Sequence, residues 1–161
     1  MTVIESKVSQ EELETLYYGY TRALDDEIAY WPDFFTDNCT YKVVTRENYA
    51  RNLPLALMLC EGKGMVIDRV DAIKGNLFYK PRFFRHMVSN ILVDKNSDDV
   101  IHAQANFVIF ESFSESTLHV FNAGRYLDVI VRDNMKLKFR EKTCVLDGSL
   151  IPGPGSFIFP V

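Results

Sequence analysis

No apolar run in this 161-residue chain approaches the ~18–20 residues needed to cross a bilayer. The opening stretch, MTVIESKVSQEELE, lacks a basic region followed by an apolar core, so no secretory signal is expected. Basic charge is also short: 18 Lys and Arg stand against 22 Asp and Glu, for a net charge of −4. A nucleic-acid binder needs a basic face, and this balance argues against one. Cysteine is sparse. Cys39, Cys60 and Cys144 are odd in number and widely spaced, which suggests reduced thiols in the cytoplasm rather than a disulfide framework. Repeats, low-complexity tracts and linkers are missing, so one domain is expected over residues 1–161.

The usual signatures of chemistry are missing too. His86, His102 and His119 fall on three different predicted strands, with no H-x-x-x-H, Cys/His cluster or C-x-x-C around them. A Rieske cluster needs two closely spaced Cys/His pairs, and the chain has none. There is no G-x-G-x-x-G, G-x-x-x-x-G-K or G-x-S-x-G, and Glu61-Gly62-Lys63-Gly64 reads as a turn. Acid/base catalysis is the remaining option. His86, His102, Tyr126 and Asp128 could face a pocket in a curved sheet, where burial raises a carboxylate toward working pH. The favoured alternative puts Tyr126 and Asp128 on the solvent or partner side of an alternating strand. Likewise, Lys136, Lys138, Arg140 and Lys142 read as one solvated strand face.

Aromatic residues are abundant: 12 Phe and 8 Tyr beside a single Trp, within an ordinary 47% hydrophobic and 25% charged balance. A domain of this size buries about 70% of its unfolded surface, so some rings are expected at the surface or against a partner. Ser9 and Glu12 form a capping-box pattern. Leu13, Leu16, Tyr17, Tyr20, Leu24 and Ile28 follow at helical spacing, and Trp31-Pro32 is expected to close the helix. A first strand is expected over 39–46, and residues 55–59 fit either strand or helix. A short helix carrying Met65, Val66, Val70 and Ile73 should end at Gly75.

From residue 82 the period changes to two, giving strands over 82–93, 100–113, 118–132 and 136–147. Ile101, Ala103, Ala105, Phe107 and Ile109 share one face. In the next strand Phe121, Ala123, Leu127, Val129 and Val131 oppose Asn122, Gly124, Tyr126 and Asp128. Helices first and an antiparallel meander last make an α+β protein, with a curved sheet wrapped on N-terminal helices. The tail from Ile151 to Val161 carries Phe157, Ile158 and Phe159, which would either cover the chain's own sheet edge or dock on another chain.

Several short motifs follow one another along the chain: Trp31-Pro32-Asp33-Phe34-Phe35 with Cys39-Thr40-Tyr41, Arg46-Glu47-Asn48 with Leu53-Pro54-Leu55, and Gly64-Met65-Val66-Ile67-Asp68-Arg69-Val70. Pro81 with Arg85-His86, Gly124-Arg125-Tyr126-Leu127-Asp128, Phe139-Arg140-Glu141-Lys142, Val145-Leu146-Asp147 and Ile151-Pro152 continue the series. This ordered set resembles the small (β) subunits of aromatic-ring-hydroxylating dioxygenases, the Rieske non-haem iron oxygenases. Within the family the chain is most similar to the subunits serving aromatic carboxylates such as salicylate, anthranilate or terephthalate.

The resemblance implies a cone-shaped α+β fold of the nuclear-transport-factor-like, SnoaL-like or cystatin-like kind, shared with ketosteroid isomerases and scytalone dehydratase. It implies a non-catalytic structural subunit with no catalytic, cofactor or metal residue of its own. The Rieske [2Fe-2S] centre and the mononuclear iron would belong to the large (α) subunit. The small subunits would form a trimeric base, typically within α3β3, to which ferredoxin and reductase deliver electrons. Arg46, Arg69, Arg85, Arg125 and Asp128 lie in the matched motifs and are the candidate subunit-interface or structural ion-pair residues. The alternative is a stand-alone isomerase or dehydratase of the same cone fold, using a buried Asp/His/Tyr set.

Overall fold

A computed structural model describes residues 7–75, 81–97, 100–113, 117–148 and 159–161. The first helix, α1 (Gln10–Asp26), begins at the expected capping box. The Ser9 hydroxyl accepts from the Glu12 N–H, and the Glu12 carboxylate accepts from the Ser9 N–H at 2.8 Å. Leu13, Leu16, Tyr17, Tyr20 and Leu24 form its buried face. Each such leucine contributes about 1.5–3 kcal/mol on burial.

Trp31-Pro32 does not close α1. The helix ends at Asp26, and both residues sit inside a following 3₁₀ helix, Ile28–Phe34. That turn buries Trp31 edge-on against Phe35 and Tyr41, with ring centroids 5.6 and 5.1 Å away. Strand β1 (Phe35–Thr45) therefore starts earlier than the sequence pattern suggests. A one-turn helix, α2 (Arg46–Ala50), leads to β2 (Met58–Glu61), which settles the ambiguous stretch as coil and strand. Helix α3 (Lys63–Lys74) stops at Gly75, as expected.

Strands β3 (Arg82–Asn96), β4 (Ile101–Phe113), β5 (His119–Asp133) and β6 (Lys136–Leu146) form the antiparallel meander. A two-residue turn at Asn134 and Met135, both with positive φ, joins β5 to β6. The sheet order is β2-β1-β6-β5-β4-β3. β1 pairs parallel to β6, so the sheet is mixed rather than wholly antiparallel. Register shifts break the β3–β4, β4–β5, β5–β6 and β1–β6 ladders, and such bulges bend strands. The curved sheet packs its inner face on α1.

One bulge decides what fills the interior. Val129 pairs with Glu141 and Ile130 pairs with Phe139, which leaves Arg140 as an extra residue in β6. Phe139 and, three residues later, Lys142 therefore both point inward and are fully buried. Lys142 is not on the solvated face with Lys136 and Lys138, because the extra residue changes the phase of the strand.

Strand β5 also departs from its expected phase. Tyr126, Asp128 and Ile130 are buried, whereas Leu127, Val129 and Val131 are half-buried on the outer face. Tyr126 and Asp128 thus lie inside, where the Tyr126 ring and the Asp128 carboxylate both face Lys142, and not on the solvent side. At the tail, Val161 is buried, its N–H donates to the Tyr41 hydroxyl, and its carbonyl accepts from Tyr20 at 2.6 Å. Phe159 packs on Phe84. Phe157, Ile158 and Ile151-Pro152 lie outside the described residues.

Gly124 makes this packing possible. A Cβ there would come within 2.0 Å of the Val145 carbonyl oxygen and 3.1 Å of the Phe107 ring. Gly124→Ala should cost about 3 kcal/mol, read as a Tm lower by about 6–12 °C in a thermal melt.

Candidate functional site

Three buried carboxylate clusters and one exposed sheet face carry the polar and interaction chemistry of the described residues. The first cluster lies at the centre of the cone. The Lys142 Nζ stands 3.0 Å from Asp128 Oδ2, with both side chains fully buried. The Tyr17 hydroxyl donates to the same oxygen at 2.5 Å. Four rings enclose the ammonium: Nζ lies 3.6 Å from the Tyr126 centroid, 4.2 Å from Phe139, 4.5 Å from Tyr20 and 5.0 Å from Tyr17. Ring faces attract a cation and replace part of its lost hydration.

Burial raises the Asp128 carboxyl above its ordinary value, while Lys142 and the Tyr17 hydroxyl pull it back. Burial likewise pushes the Tyr17, Tyr20, Tyr41 and Tyr126 phenols well above their usual range. The Cys144 thiol is pushed up to about 12 and Cys39 to about 11. Such thiols are inert at neutral pH.

The second cluster lies where α1 meets β3. Asp25 accepts from the His86 backbone N–H at 3.0 Å and lies 2.6 Å from His86 Nδ1. Arg85 Nη1 reaches Asp25 at 3.7 Å. A third pairing closes the far end of β4. Glu111, buried on the inner face, holds Arg82 Nη1 and His119 Nε2, each at 2.9 Å.

The three histidines do not converge. His86 serves Asp25, His119 serves Glu111, and His102 is exposed on β4. Among the described residues, no group of three or more His, Cys, Asp and Glu is placed to hold a metal ion. No described helix is long and apolar enough to cross a membrane.

The five residues singled out by motif take different positions. Arg46 pairs with Asp147, so two matched motifs meet across 101 positions of sequence. Arg85 pairs with Asp25 and Asp26, and Asp128 with Lys142. Arg69, on α3, lies against the Cys60 thiol and offsets part of its burial. Arg125 is exposed on the outer face of β5 and makes no ion pair among the described residues. Sequence reasoning missed Asp25, Glu111 and Tyr17. The only sequence signal for Asp25 was an acid next to the buried helical face at Leu24.

The outer face of the sheet is apolar over several strands. Phe83 and Met87 on β3 are 64% and 58% exposed. The register carries Met87 to Val108 and Ala123, and Arg85 to Phe110 and Val120. An antiparallel sheet with one solvated face is normally polar there. A contiguous apolar patch of this kind marks a site of interaction.

The chain is similar to known proteins along most of its length. Residues 15–153 match the family model described as "Ring hydroxylating beta subunit". The anthranilate 1,2-dioxygenase small subunit of Burkholderia cepacia is 31% identical over 141 residues, covering 87% of this chain and 88% of that protein. The terephthalate 1,2-dioxygenase terminal oxygenase component subunit beta 1 of Comamonas sp is 26% identical, covering 89% and 94%. A crystal structure described as the β subunit of an aromatic-ring-hydroxylating dioxygenase from Novosphingobium aromaticivorans superposes with a TM-score of 0.84 at 29% identity, covering 94% and 96%.

Two measurements test the interior. Lys142→Met strands the Asp128 carboxylate and should cost about 3–5 kcal/mol at pH 7 in urea unfolding, most of which Asp128→Asn restores in the double variant. The folded carboxyl titrates above the unfolded one, so stability is lost as pH rises from the unfolded value through the folded value. Lys142→Met widens that window, and its deficit should shrink as pH falls below it. The buried thiols of Cys39, Cys60 and Cys144 should take up no alkylating label in the native chain near neutral pH, and all three should label in denaturant.

Proposed function

The chain belongs to the ring hydroxylating beta subunit family, and on that premise we propose that it is the non-catalytic small subunit of a multicomponent aromatic-ring dioxygenase, assembling and stabilising an iron-bearing large subunit. The observation that carries this reading is the apolar outer sheet face, from Phe83 and Met87 on β3 to Val120 on β5. Aromatic, methionine and arginine side chains are enriched at subunit interfaces, and Phe83, Met87 and Arg125 supply all three on one surface.

The Rieske [2Fe-2S] centre and mononuclear iron reside in the large subunit in this reading, and this chain contributes a rigid base. Three copies form the base of an α3β3 particle in the cytoplasm. Ferredoxin and reductase supply electrons to the large subunit. Residues 1–161 act as one domain. The names of the relatives support an aromatic acid as the substrate of the assembly. Arg125, exposed and without an ion pair among the described residues, contacts a neighbouring subunit, whereas Arg46, Arg85 and Asp128 brace this chain.

Co-expression with a Rieske-type large subunit, followed by native mass measurement, tests this. A hetero-oligomer is the expected result, and a lone chain that never associates refutes it. Phe83→Lys together with Met87→Lys should abolish assembly while changing the stability of the isolated chain by less than about 1 kcal/mol, since both positions are exposed.

A further inference from the structure

The segment Phe159–Val161 belongs to no helix or strand, yet Val161 is only 4% exposed. Its carbonyl oxygen receives two phenol hydroxyls, Tyr20 at 2.6 Å and Tyr41 at 3.2 Å, and lies 3.6 Å from the Cys144 Sγ. Its N–H donates to the Tyr41 hydroxyl at 2.9 Å. Its isopropyl group joins the buried core. Phe159 anchors the segment against β3, with its ring centroid 5.0 Å from that of Phe84 and 5.4 Å from the Arg82 guanidinium.

Val161 is thus held in the manner of a bound ligand. Apolar surroundings with a few convergent polar groups are the usual form of a small-molecule site. Here the convergent groups are two O–H donors aimed at one oxygen. Tyr20 and Tyr41 are fully buried, and burial holds both phenols well above their usual range, so both are donors at neutral pH. Without the segment each would be a buried donor lacking this acceptor, a cost that another oxygen can relieve. Release of the segment breaks no hydrogen bond of a β-ladder and leaves the Lys142–Asp128 pair in place. Opening of this kind is local rather than global.

We propose that Tyr20 and Tyr41 form a carbonyl-binding site inside the cone, occupied in cis by Val161. Phe159–Val161 act as a latch, and its release opens the site to a small neutral compound with a carbonyl beside a branched aliphatic group. The site lies within this chain and stands or falls separately from the assembly reading.

Cys144 reports the state of the latch, because its thiol lies against the same carbonyl, and the buried Cys39 and Cys60 serve as internal controls. The test is labelling of the full-length chain with N-ethylmaleimide at pH 8, with modified positions read by mass spectrometry after digestion. In Val161→Lys the ammonium cannot enter the apolar site without a heavy desolvation cost. Cys144 should then label at least about tenfold faster than in the unsubstituted chain, the loss of one buried valine's apolar contact expressed as a ratio. Cys39 and Cys60 should keep their slow rates. N-acetylvalinamide at roughly 50 mM, above the millimolar effective concentration that a short tether supplies, should slow Cys144 again. N-isobutylacetamide keeps the N–H and the isopropyl group but lacks the carboxamide carbonyl, and should not. Val161→Gly retains the backbone contacts and gives a milder release of the same kind if Val161→Lys does not fold. Equal acceleration of all three thiols in Val161→Gly would place the segment in the cooperative fold and overturn the latch. An unchanged Cys144 rate in Val161→Lys, or equal protection by the two amides, would overturn it as well.

Discussion

A lysine ammonium buried among four aromatic rings sets the terms for the rest of this fold. Lys142 has no access to water, and removing an ion of its size from water carries an effective penalty of several kcal/mol. Three features offset that penalty together. Asp128 supplies the counter-charge, Tyr17 holds the carboxylate, and the faces of Tyr126, Phe139, Tyr20 and Tyr17 surround the cation. These groups come from α1, β5 and β6, so the ion pair fixes the seating of the helix against the meander. A shift of either strand by one residue would turn Asp128 or Lys142 outward and strand the other. Pairs of this kind specify an arrangement more than they add net stability.

The arrangement depends on a single extra residue. Arg140 is accommodated in a bulge opposite the Val129–Ile130 step, and if the strand alternated regularly through it Lys142 would fall on the outer face with Lys138. This explains which parts of the structure were legible in sequence. The Ser9–Glu12 capping box, the buried stripe of α1 and the alternation of β4 are local patterns, complete within a few residues, and each is present. The end of α1 was misplaced because Pro32 is tolerated in a 3₁₀ turn that buries Trp31. The phase of β5 was ambiguous because apolar residues occupy both of its faces. Only the distant partners Tyr17 and Lys142 decide that Tyr126 and Asp128 go inward. The parallel β1–β6 pairing and the Asp25–His86 contact, 61 residues apart, left no periodic trace to read.

The same misreading of β5 points toward function. A strand whose outward residues are Leu127, Val129 and Val131 would be poorly designed for a lone soluble sheet. The design becomes sensible if the outer face meets another protein. Phe83, Met87 and Val120 continue that face across the sheet, and their exposure in the isolated chain is the surplus of aromatic and aliphatic surface first visible in the composition.

Cone-shaped folds with an open interior can place an acid, a base and a bound ring inside the sheet. Here most of that interior is committed. Tyr17 donates to Asp128, Tyr20 and Tyr41 bind Val161, and the ammonium of Lys142 fills the space between the four rings. A base buried under such constraints is a poor proton shuttle, since moving its proton would leave an uncompensated charge among the rings. The chemistry left to the fold lies at its boundaries. One is the outer sheet face, where burial against a partner gains apolar contact without disturbing the ion pair. The other is the edge where α1 meets β3, where Asp25 holds His86 and its charge helps to push up the buried Tyr126 phenol. Rigidity inside and unused surface outside are two results of the same packing, and together they suit a subunit whose main work is to hold another polypeptide in place.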